Sequence, residues 1–300
     1  MSDAVAVTDG VDEALPGPTL AQFEATRAVV APVIDVTPME SSRSLSEVLG
    51  SDVWLKCENL QRTGSYKIRG AYNRLVNLSD EEKARGVVAA SAGNHAQGVA
   101  FAARELGIRS TIFMPVGVAL PKLSATKEYG ADVELSGHVV DETLRAAAEF
   151  ADETGAVFIH PFDHPDVVAG QGTLGLEILE QRPDVDTILV PIGGGGLISG
   201  VASAVRQKSE ELGRTVKIIG IQATNAAAYP TSLINGEPTL VPVLPTIADG
   251  IAVSKPGILN FDIIREVVDE VITVDEDDIA RALLVLLERA KLVVEPAGAV

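Results

Sequence analysis

Short apolar runs rich in valine and isoleucine alternate along this chain with longer segments whose apolar residues recur at helical spacing. Short runs of β-branched residues bounded by turns indicate strands, and longer segments with a helical period indicate helices. The predicted strands are Val53–Cys57, Val87–Ala90, Ser110–Met114, Asp132–Leu135, Val157–Ile159, Thr187–Val190, Val216–Gln222 and Val267–Val274. The predicted helices are Ala96–Leu106, Leu120–Tyr129, Val139–Glu153, Val167–Gln181, Leu197–Glu211 and Asp275–Ala290.

This alternation predicts an α/β fold with mostly parallel sheets and helices on both faces. Ligands of such sheets bind beyond the carboxyl ends of the strands. The segment Pro230–Asn260 holds five of the sixteen prolines and has no clear period. We therefore expect an irregular excursion there.

Composition narrows the function classes. The chain has 300 residues, of which 46% are hydrophobic, so it can bury one large core or two medium ones. Its net charge of −18 repels nucleic acid and anionic membranes. Any phosphate site must therefore depend on local backbone dipoles rather than on a basic surface.

The N-terminus, the single cysteine and the length of the apolar runs add three expectations. Residues 1–18 are small, acidic and interrupted by Pro and Gly, and are expected to form a disordered tail. Cys57 is the only cysteine, which excludes an internal disulfide and fits a cytoplasmic location. No apolar run approaches the length that spans a membrane.

Lys67 stands where a Gly64-Ser65 turn enters a predicted helix. The positive end of the helix dipole and the nearby charge of Arg69 both favour its neutral amine. A neutral lysine amine is a nucleophile towards carbonyls, including the aldehyde of pyridoxal phosphate. The alternative interpretation is an ordinary solvated lysine.

Two glycine-containing loops follow predicted strands and enter helices. Ser91–Gly98 offers free amides at a helix start, with Ser91 and Asn94 as side-chain donors, and would suit a carboxylate. The alternative is an ordinary N-cap by Ser91 or Asn94, with Gly93 in the turn.

The second loop, Gly193–Gly196, lets successive amides converge on one phosphate; the alternative is a flexible loop. A dinucleotide site is disfavoured because the Gly-x-Gly-x-x-Gly spacing fails. In addition, Gln222 stands where an acidic residue would bind a ribose. A monophosphate ligand fits this loop better.

Other candidates are weaker. His160, Asp163 and His164 have a spacing compatible with a metal, but no third cysteine or histidine is nearby, so turn histidines are favoured. Cys57 and Trp54 lie in one strand-like run and are expected to be core residues.

Several motifs together resemble those of the fold-type II pyridoxal-phosphate enzymes, and most closely the threonine/serine dehydratases (threonine ammonia-lyases). The similarity covers nearly the whole chain. Its motifs are residues 56–61, 64–71, 91–98, 169–173, 193–200 and 248–253.

The resemblance implies a fold and an assembly. It predicts two open, twisted, mostly parallel sheets flanked by helices, with a small domain of residues 76–158 inserted in a large domain of residues 19–75 and 159–300. Relatives are homodimers or homotetramers. They also continue beyond the Pro296-Ala-Gly segment, so we expect this chain to be C-terminally truncated.

The resemblance also implies roles for individual residues. Lys67 would carry the cofactor, Tyr66 would pack near its ring, and Asn94 would bond its phenolic oxygen. The implied phosphate-binding residues are Gly193, Gly194, Gly195, Gly196 and Leu197. The implied residues for the substrate carboxylate are Ser65, Ser91, Ala92, Gly93 and His95. No metal is implied.

The implied activity is the deamination of L-threonine to 2-oxobutanoate and ammonia, and of L-serine to pyruvate. Serine racemases of this family need a serine acid where this chain has Ala92, and metal ligands where it has the carboxylate-free segment 222–228. Both departures favour elimination over racemisation, and cysteine synthases rank lower. Distant alternatives are a nucleotide-dependent oxidoreductase and a non-catalytic ligand-binding remnant. The residues alone leave threonine versus serine open.

Overall fold

The computed structural model describes residues 15–138 and 140–300. Its strands are β1 (Met39–Ser41), β2 (Trp54–Lys56), β3 (Val87–Ala90), β4 (Ser110–Met114), β5 (Asp132–Leu135), β6 (Val157–Phe158), β7 (Thr187–Pro191), β8 (Lys217–Ala223) and β9 (Glu270–Val274). Its helices are α1 (Leu20–Val30), α2 (Arg43–Leu49), α3 (Lys67–Val76), α4 (Asp80–Arg85), α5 (Asn94–Leu106), α6 (Leu120–Glu128), α7 (Val140–Thr154), α8 (Pro165–Gln181), α9 (Gly196–Glu211), α10 (Ala228–Asn235), α11 (Ile258–Val267) and α12 (Glu276–Val285).

The first parallel sheet has the strand order β5-β4-β3-β6. Its central strands are buried on both faces, because alternate residues point to opposite sides of the sheet and helices cover both sides. Val87 and Ala89 pack into one core with α3 and α5, whereas Val88 and Ala90 pack against α7. The sequence prediction of a parallel sheet covered by helices on both faces is confirmed for this sheet.

The second parallel sheet has the order β7-β8-β9. Ile188 and Val190 of β7 join Ile218 of β8 in a core with α8, α9 and α11. Leu189, which points to the other face, remains 58% exposed. The expected α/β architecture with mostly parallel sheets is therefore found, with β1 and β2 added as a short antiparallel pair.

Some predicted element bounds were wrong. Val267 ends α11 and does not begin a strand, since β9 starts only at Glu270. The segment Pro230–Asn260 is helical at both ends, in α10 and α11, and only its middle is irregular. Val139, the predicted start of α7, lies outside the described residues.

Helices α3 and α8 approach each other closely at two glycines. A Cβ on Gly70 would lie 2.8 Å from the carbonyl of Val167, and Gly170 lies against the backbone of Arg69 and Gly70. This contact places the first turn of α3, and with it Lys67, at a fixed position on α8.

A buried ion network fixes the same contact. The Arg69 guanidinium is fully buried and donates two hydrogen bonds to Glu58 (2.8 and 2.9 Å) and two to Glu177 (2.7 and 3.0 Å). Lys56 also donates to Glu177 over 2.8 Å. Two cations thus balance two carboxylates where β2 and the turn after it meet α3 and α8.

Residues 1–14 lie outside the described part of the chain, so the tail predicted for 1–18 is described only at its end. There, Pro18 is buried and its carbonyl accepts from Gln207 over 3.0 Å. The chain is thus already packed one residue before the start predicted for the large domain. In the described residues, every helix is too short or too polar to cross a bilayer. The division into domains stays a prediction.

Candidate active site

Lys67 is the first residue of α3, as the sequence predicted, and lines a wide cleft. Desolvation inside the cleft lowers the pKa of its amine to about 8, while the Glu295 carboxylate opposes this by raising it. At neutral pH more of this lysine is therefore the free amine than of an ordinary exposed lysine.

The cause of this shift differs from the one expected. We predicted that Arg69 would favour the neutral amine, but the guanidinium of Arg69 is neutralised by Glu58 and Glu177. Removal from water is the main cause. The direction of the prediction is confirmed, whereas its reliance on Arg69 was wrong.

Contacts of Lys67 connect it to the tetraglycine loop. Its Nζ donates a 2.9 Å hydrogen bond to the carbonyl of Pro161. The next residue, Phe162, packs directly on Gly194 and Gly196, where any Cβ would collide with it. The residue that accepts the hydrogen bond from Lys67 is thus the neighbour, in sequence, of the residue that packs on the tetraglycine loop.

Neighbouring side chains contact the backbone of the tetraglycine loop. Gly195 is the N-cap of α9 with φ +103°, a conformation that favours glycine, and no side chain caps the helix. The carbonyl of Gly194 accepts from Tyr229 Oη at 3.1 Å and Asn260 Nδ2 at 3.3 Å. The first amides of α9 are thus left available for an anion.

The loop at Ser91–Gly98 starts α5 in a similar way. Gly93 is the N-cap, and neither Ser91 nor Asn94 caps the helix, so the alternative of an ordinary side-chain N-cap is not what the structure shows. The Ser91 hydroxyl accepts instead from the amide of Gly93, at 3.1 Å. Ala92 contributes only a methyl group beside these amides.

His95 and Tyr66 lie beside Lys67. Burial, followed by the charge of Lys67, lowers the pKa of His95 to about 3, so its ring is neutral, and Nε2 lies 2.9 Å from the Ile159 carbonyl. Burial also raises the pKa of the Tyr66 hydroxyl, and Lys67 Nζ lies 5.5 Å from the centre of the Tyr66 ring. The His95 ring is thus engaged with a main-chain carbonyl.

Ser65 has an unsatisfied side chain in the same cleft. It is 5% exposed, and its hydroxyl has no hydrogen-bond partner among the described residues. A buried hydroxyl without a partner costs free energy that a polar ligand group would recover.

Sequence reasoning missed two acidic residues of the site. Glu295 accepts a 2.6 Å hydrogen bond from the Asn94 side chain, and Asp249 accepts one from Lys122 at 3.1 Å. Glu295 lies in a loop and Asp249 in a short 3-10 turn, so neither has a helical or strand period. Asp249 belongs to the motif of residues 248–253, but the resemblance implied no role for it.

The two histidines of the weaker candidate act within their turns. His160 Nδ1 accepts from the amide of Asp163 at 2.8 Å, and His164 Nδ1 accepts from the amide of Asp166 at 3.1 Å. Across the described ranges, no cluster of three or more His, Cys, Asp or Glu is placed to hold a metal. These bonds support the interpretation as turn histidines.

The chain is similar to known proteins over most of its length. Residues 30–300 match the family described as pyridoxal-phosphate dependent enzyme. The L-threonine ammonia-lyase of Thermotoga maritima is 51% identical over 282 residues, which are 94% of this chain and 69% of the relative. That of Geobacter sulfurreducens is 53% identical over 264 residues, which are 88% of this chain and 65% of the relative. The chain thus spans about two thirds of their length.

Solved structures show the same architecture. Maize serine racemase superimposes with a TM-score of 0.89 at 38% identity, over 93% of this chain and 84% of the racemase. The processed threonine deaminase isoform 2 of Solanum lycopersicum also has a TM-score of 0.89, at 36% identity, over 100% of this chain and 88% of the deaminase.

Proposed function

The chain belongs to the pyridoxal-phosphate dependent enzyme family, and on that premise we propose that it deaminates L-threonine to 2-oxobutanoate and ammonia. L-Serine would give pyruvate in the same way. The observation that carries the proposal is the half-buried Lys67 amine, whose pKa is lowered to about 8, in one cleft with two uncapped helix starts. The relatives named L-threonine ammonia-lyase support the choice of substrate.

The residues of the cleft fit pyridoxal phosphate. The group needs a lysine amine for its aldehyde and an anion site for its phosphate. Lys67 would provide the amine, and the amides of Gly193 to Leu197 would hold the phosphate at the start of α9. Side chains in place of Gly194 or Gly195 would collide with Phe162 or Tyr229, so this narrow loop depends on glycine.

The chain's own residues account for the remaining steps. Amides at the start of α5, with the hydroxyls of Ser65 and Ser91, would bind the substrate carboxylate. When bound, the cofactor makes the α-carbon of an amino acid acidic by stabilising a carbanion. The neutral Nζ of Lys67 would then accept the α-proton, and the β-hydroxyl would leave as water after gaining a proton. The resulting enamine would hydrolyse in water to the 2-oxo acid and ammonia.

Racemisation is the second candidate, because the maize serine racemase shares this architecture. Racemisation requires a proton donor on the face of the substrate opposite the base. Ala92, at the position where those racemases carry a serine, has no proton to give. We therefore propose elimination as the main reaction, and D-serine formation is the direct test of the alternative.

The first test is product formation. Protein loaded with pyridoxal phosphate should release 2-oxobutanoate from L-threonine and pyruvate from L-serine, measured with separate coupled assays. Lys67→Ala should abolish both, and Lys127→Ala, which changes an exposed lysine of α6, should keep both. Yellow protein that releases no 2-oxo acid from either substrate would contradict the proposal.

Location and assembly belong to the proposal as well. A cytoplasmic homodimer or homotetramer is what the resemblance implies. Sedimentation of the loaded protein at several concentrations tests the oligomeric part.

A further inference from the structure

We propose that the ammonium of Lys122 binds the carboxylate of the amino-acid substrate, and that the Asp249 carboxylate competes with the substrate carboxylate for this ammonium. This inference rests on the proposed function, because it assigns a residue to the same site. The chemical class of ligand is an α-amino acid with a free carboxylate.

Lys122 is placed beside the loop that would hold the carboxylate. It lies in the first turn of α6, and its Nζ is 3.8 Å from the position that a Cβ on Gly93 would occupy. Gly93 is the N-cap of α5, whose first amides are not capped by any side chain. The ammonium therefore lies next to the N-terminus of α5.

An independent observation indicates a ligand in this cleft. Ser65, which also lines it, keeps a buried hydroxyl without a partner among the described residues. A carboxylate has enough lone pairs to accept from the Lys122 ammonium, from the α5 amides and from this hydroxyl together.

The charges around the cleft explain why a cation is needed here. The protein carries a net charge of −18, and Glu295 places a further carboxylate on Asn94, next to the same loop. His95 is neutral, so its ring cannot balance a second anion. Lys122 supplies a positive charge to balance the bound carboxylate.

The present partner of Lys122 is easily exchanged. Its Nζ lies 3.1 Å from Asp249 Oδ2, and the two side chains are 36% and 63% exposed. Exposed ion pairs of this kind contribute little to stability. Asp249 thus provides a carboxylate to Lys122 when no ligand is present, and a substrate carboxylate can replace it.

Competition between Asp249 and the substrate for Lys122 predicts opposite effects of two substitutions on substrate binding, which a purely structural ion pair does not predict. Lys122→Gln removes the cation and should weaken carboxylate binding. Asp249→Asn frees the same cation and should strengthen it. If the pair only held α6 against the turn that contains Asp249, both substitutions would shift binding in the same direction.

The test uses cofactor-loaded full chain and two ligands without a leaving group, so that no turnover is required. L-Alanine carries the carboxylate, and L-alaninol replaces it with a hydroxymethyl group. Dissociation constants come from equilibrium titration of the visible spectrum, with Lys127→Gln on the exposed side of α6 as the matched control.

We expect Lys122→Gln to weaken L-alanine binding about tenfold, as the loss of one charge-assisted contact implies. Asp249→Asn should tighten it about threefold, Lys122→Arg should restore most of the affinity, and L-alaninol binding should not change in any variant. Equal losses for both ligands, shifts of the same sign in both variants, or unchanged L-alanine affinity in Lys122→Gln would overturn the inference. Failure of the proposed function would appear separately, as no 2-oxo acid from the wild type.

Discussion

Asn94 donates a 2.6 Å hydrogen bond to the carboxylate of Glu295, which lies 201 residues further along the chain. The bond joins the start of α5, beyond the first sheet, to the loop that follows α12. Glu295 also acts on Lys67 by charge and raises the pKa that burial lowers. One carboxylate thus restrains the residue expected to bond the cofactor's phenolic oxygen and adjusts the amine expected to carry the cofactor.

Glu295→Gln should shift the pH dependence of cofactor uptake to lower pH. The substitution removes the charge that raises the pKa of Lys67, so the amine should lose its proton below about 8. Uptake requires the neutral amine, so its rate should rise with pH through the pKa of Lys67 in both proteins. The measurement is the rate of visible-band appearance in apoprotein at a series of pH values.

Glu288→Gln is the matched control, because Glu288 is exposed and lies in the π-helical turn that follows α12. Its profile should coincide with that of the wild type. A profile for Glu295→Gln that is unchanged, or moved to higher pH, would show that Glu295 does not act on Lys67.

Gly195→Ala should destabilise the protein more than Gly213→Ala. Both glycines have positive φ, +103° and +68°, so alanine is strained at both by about 1 kcal/mol. At Gly195 the new Cβ would also lie 2.9 Å from Asn260 Cβ and collide with Tyr229, whereas Gly213 faces open space. We expect losses of about 3 and 1 kcal/mol in urea unfolding. Equal losses would show that the tetraglycine loop is not closely packed.

Arg69→Met should cost about 3–5 kcal/mol in the free energy of unfolding, because it leaves the buried Glu58 and Glu177 without their shared guanidinium. Arg281→Met, at an exposed ion pair with Asp278, should cost far less, because exposed ion pairs contribute little to stability. Urea denaturation of both variants checks this. A cost for Arg69→Met similar to that of the control would mean that the network does not fix α3 on α8.

Glu177 should make part of the stability sensitive to acid. Burial alone would raise its pKa, but the hydrogen bonds and charges of Arg69 and Lys56 outweigh burial and lower it below the ordinary 4.5. A carboxylate with a lowered pKa in the folded state adds stability above its unfolded pKa, and that stability is lost as pH falls through the folded value. Unfolding free energies between about pH 6 and 3 should therefore fall more steeply in the wild type than in Glu177→Gln. Parallel curves would refute this assignment.

Much of the fold could be predicted because most of the strands have a recognisable local sequence pattern. The bounds of β3, β4 and β5 are those predicted. Strands β3 and β4 are buried runs rich in apolar and β-branched residues, whereas the mostly exposed β5 alternates acidic and apolar residues. The β1–β2 pair was only half predicted, because Met39–Ser41 has three residues, too few for a period, and two of them are exposed. Lys67 was placed correctly at a helix start, since Gly and Ser mark the turn before it.

Contacts between distant side chains could not be predicted in the same way. The pairing of Arg69 with Glu177 spans 108 residues, and no local pattern distinguishes it from an arginine that faces the cleft. The same holds for Lys122, whose role depends on a loop that meets α6 only in the folded chain. The assignment of Lys67, Tyr66, Asn94 and the two glycine-containing loops to the cofactor and substrate stays a prediction.

The most direct test is to locate the covalently held cofactor. The loaded protein should be yellow, lose its visible band on treatment with borohydride, and then carry a stable phosphopyridoxyl group on the peptide that contains Lys67. Peptide mass mapping should find this group in the wild type and in Lys127→Ala, and not in Lys67→Ala. A label on Lys122 or any other lysine in the wild type, or no label after reduction of the yellow protein, would contradict the account.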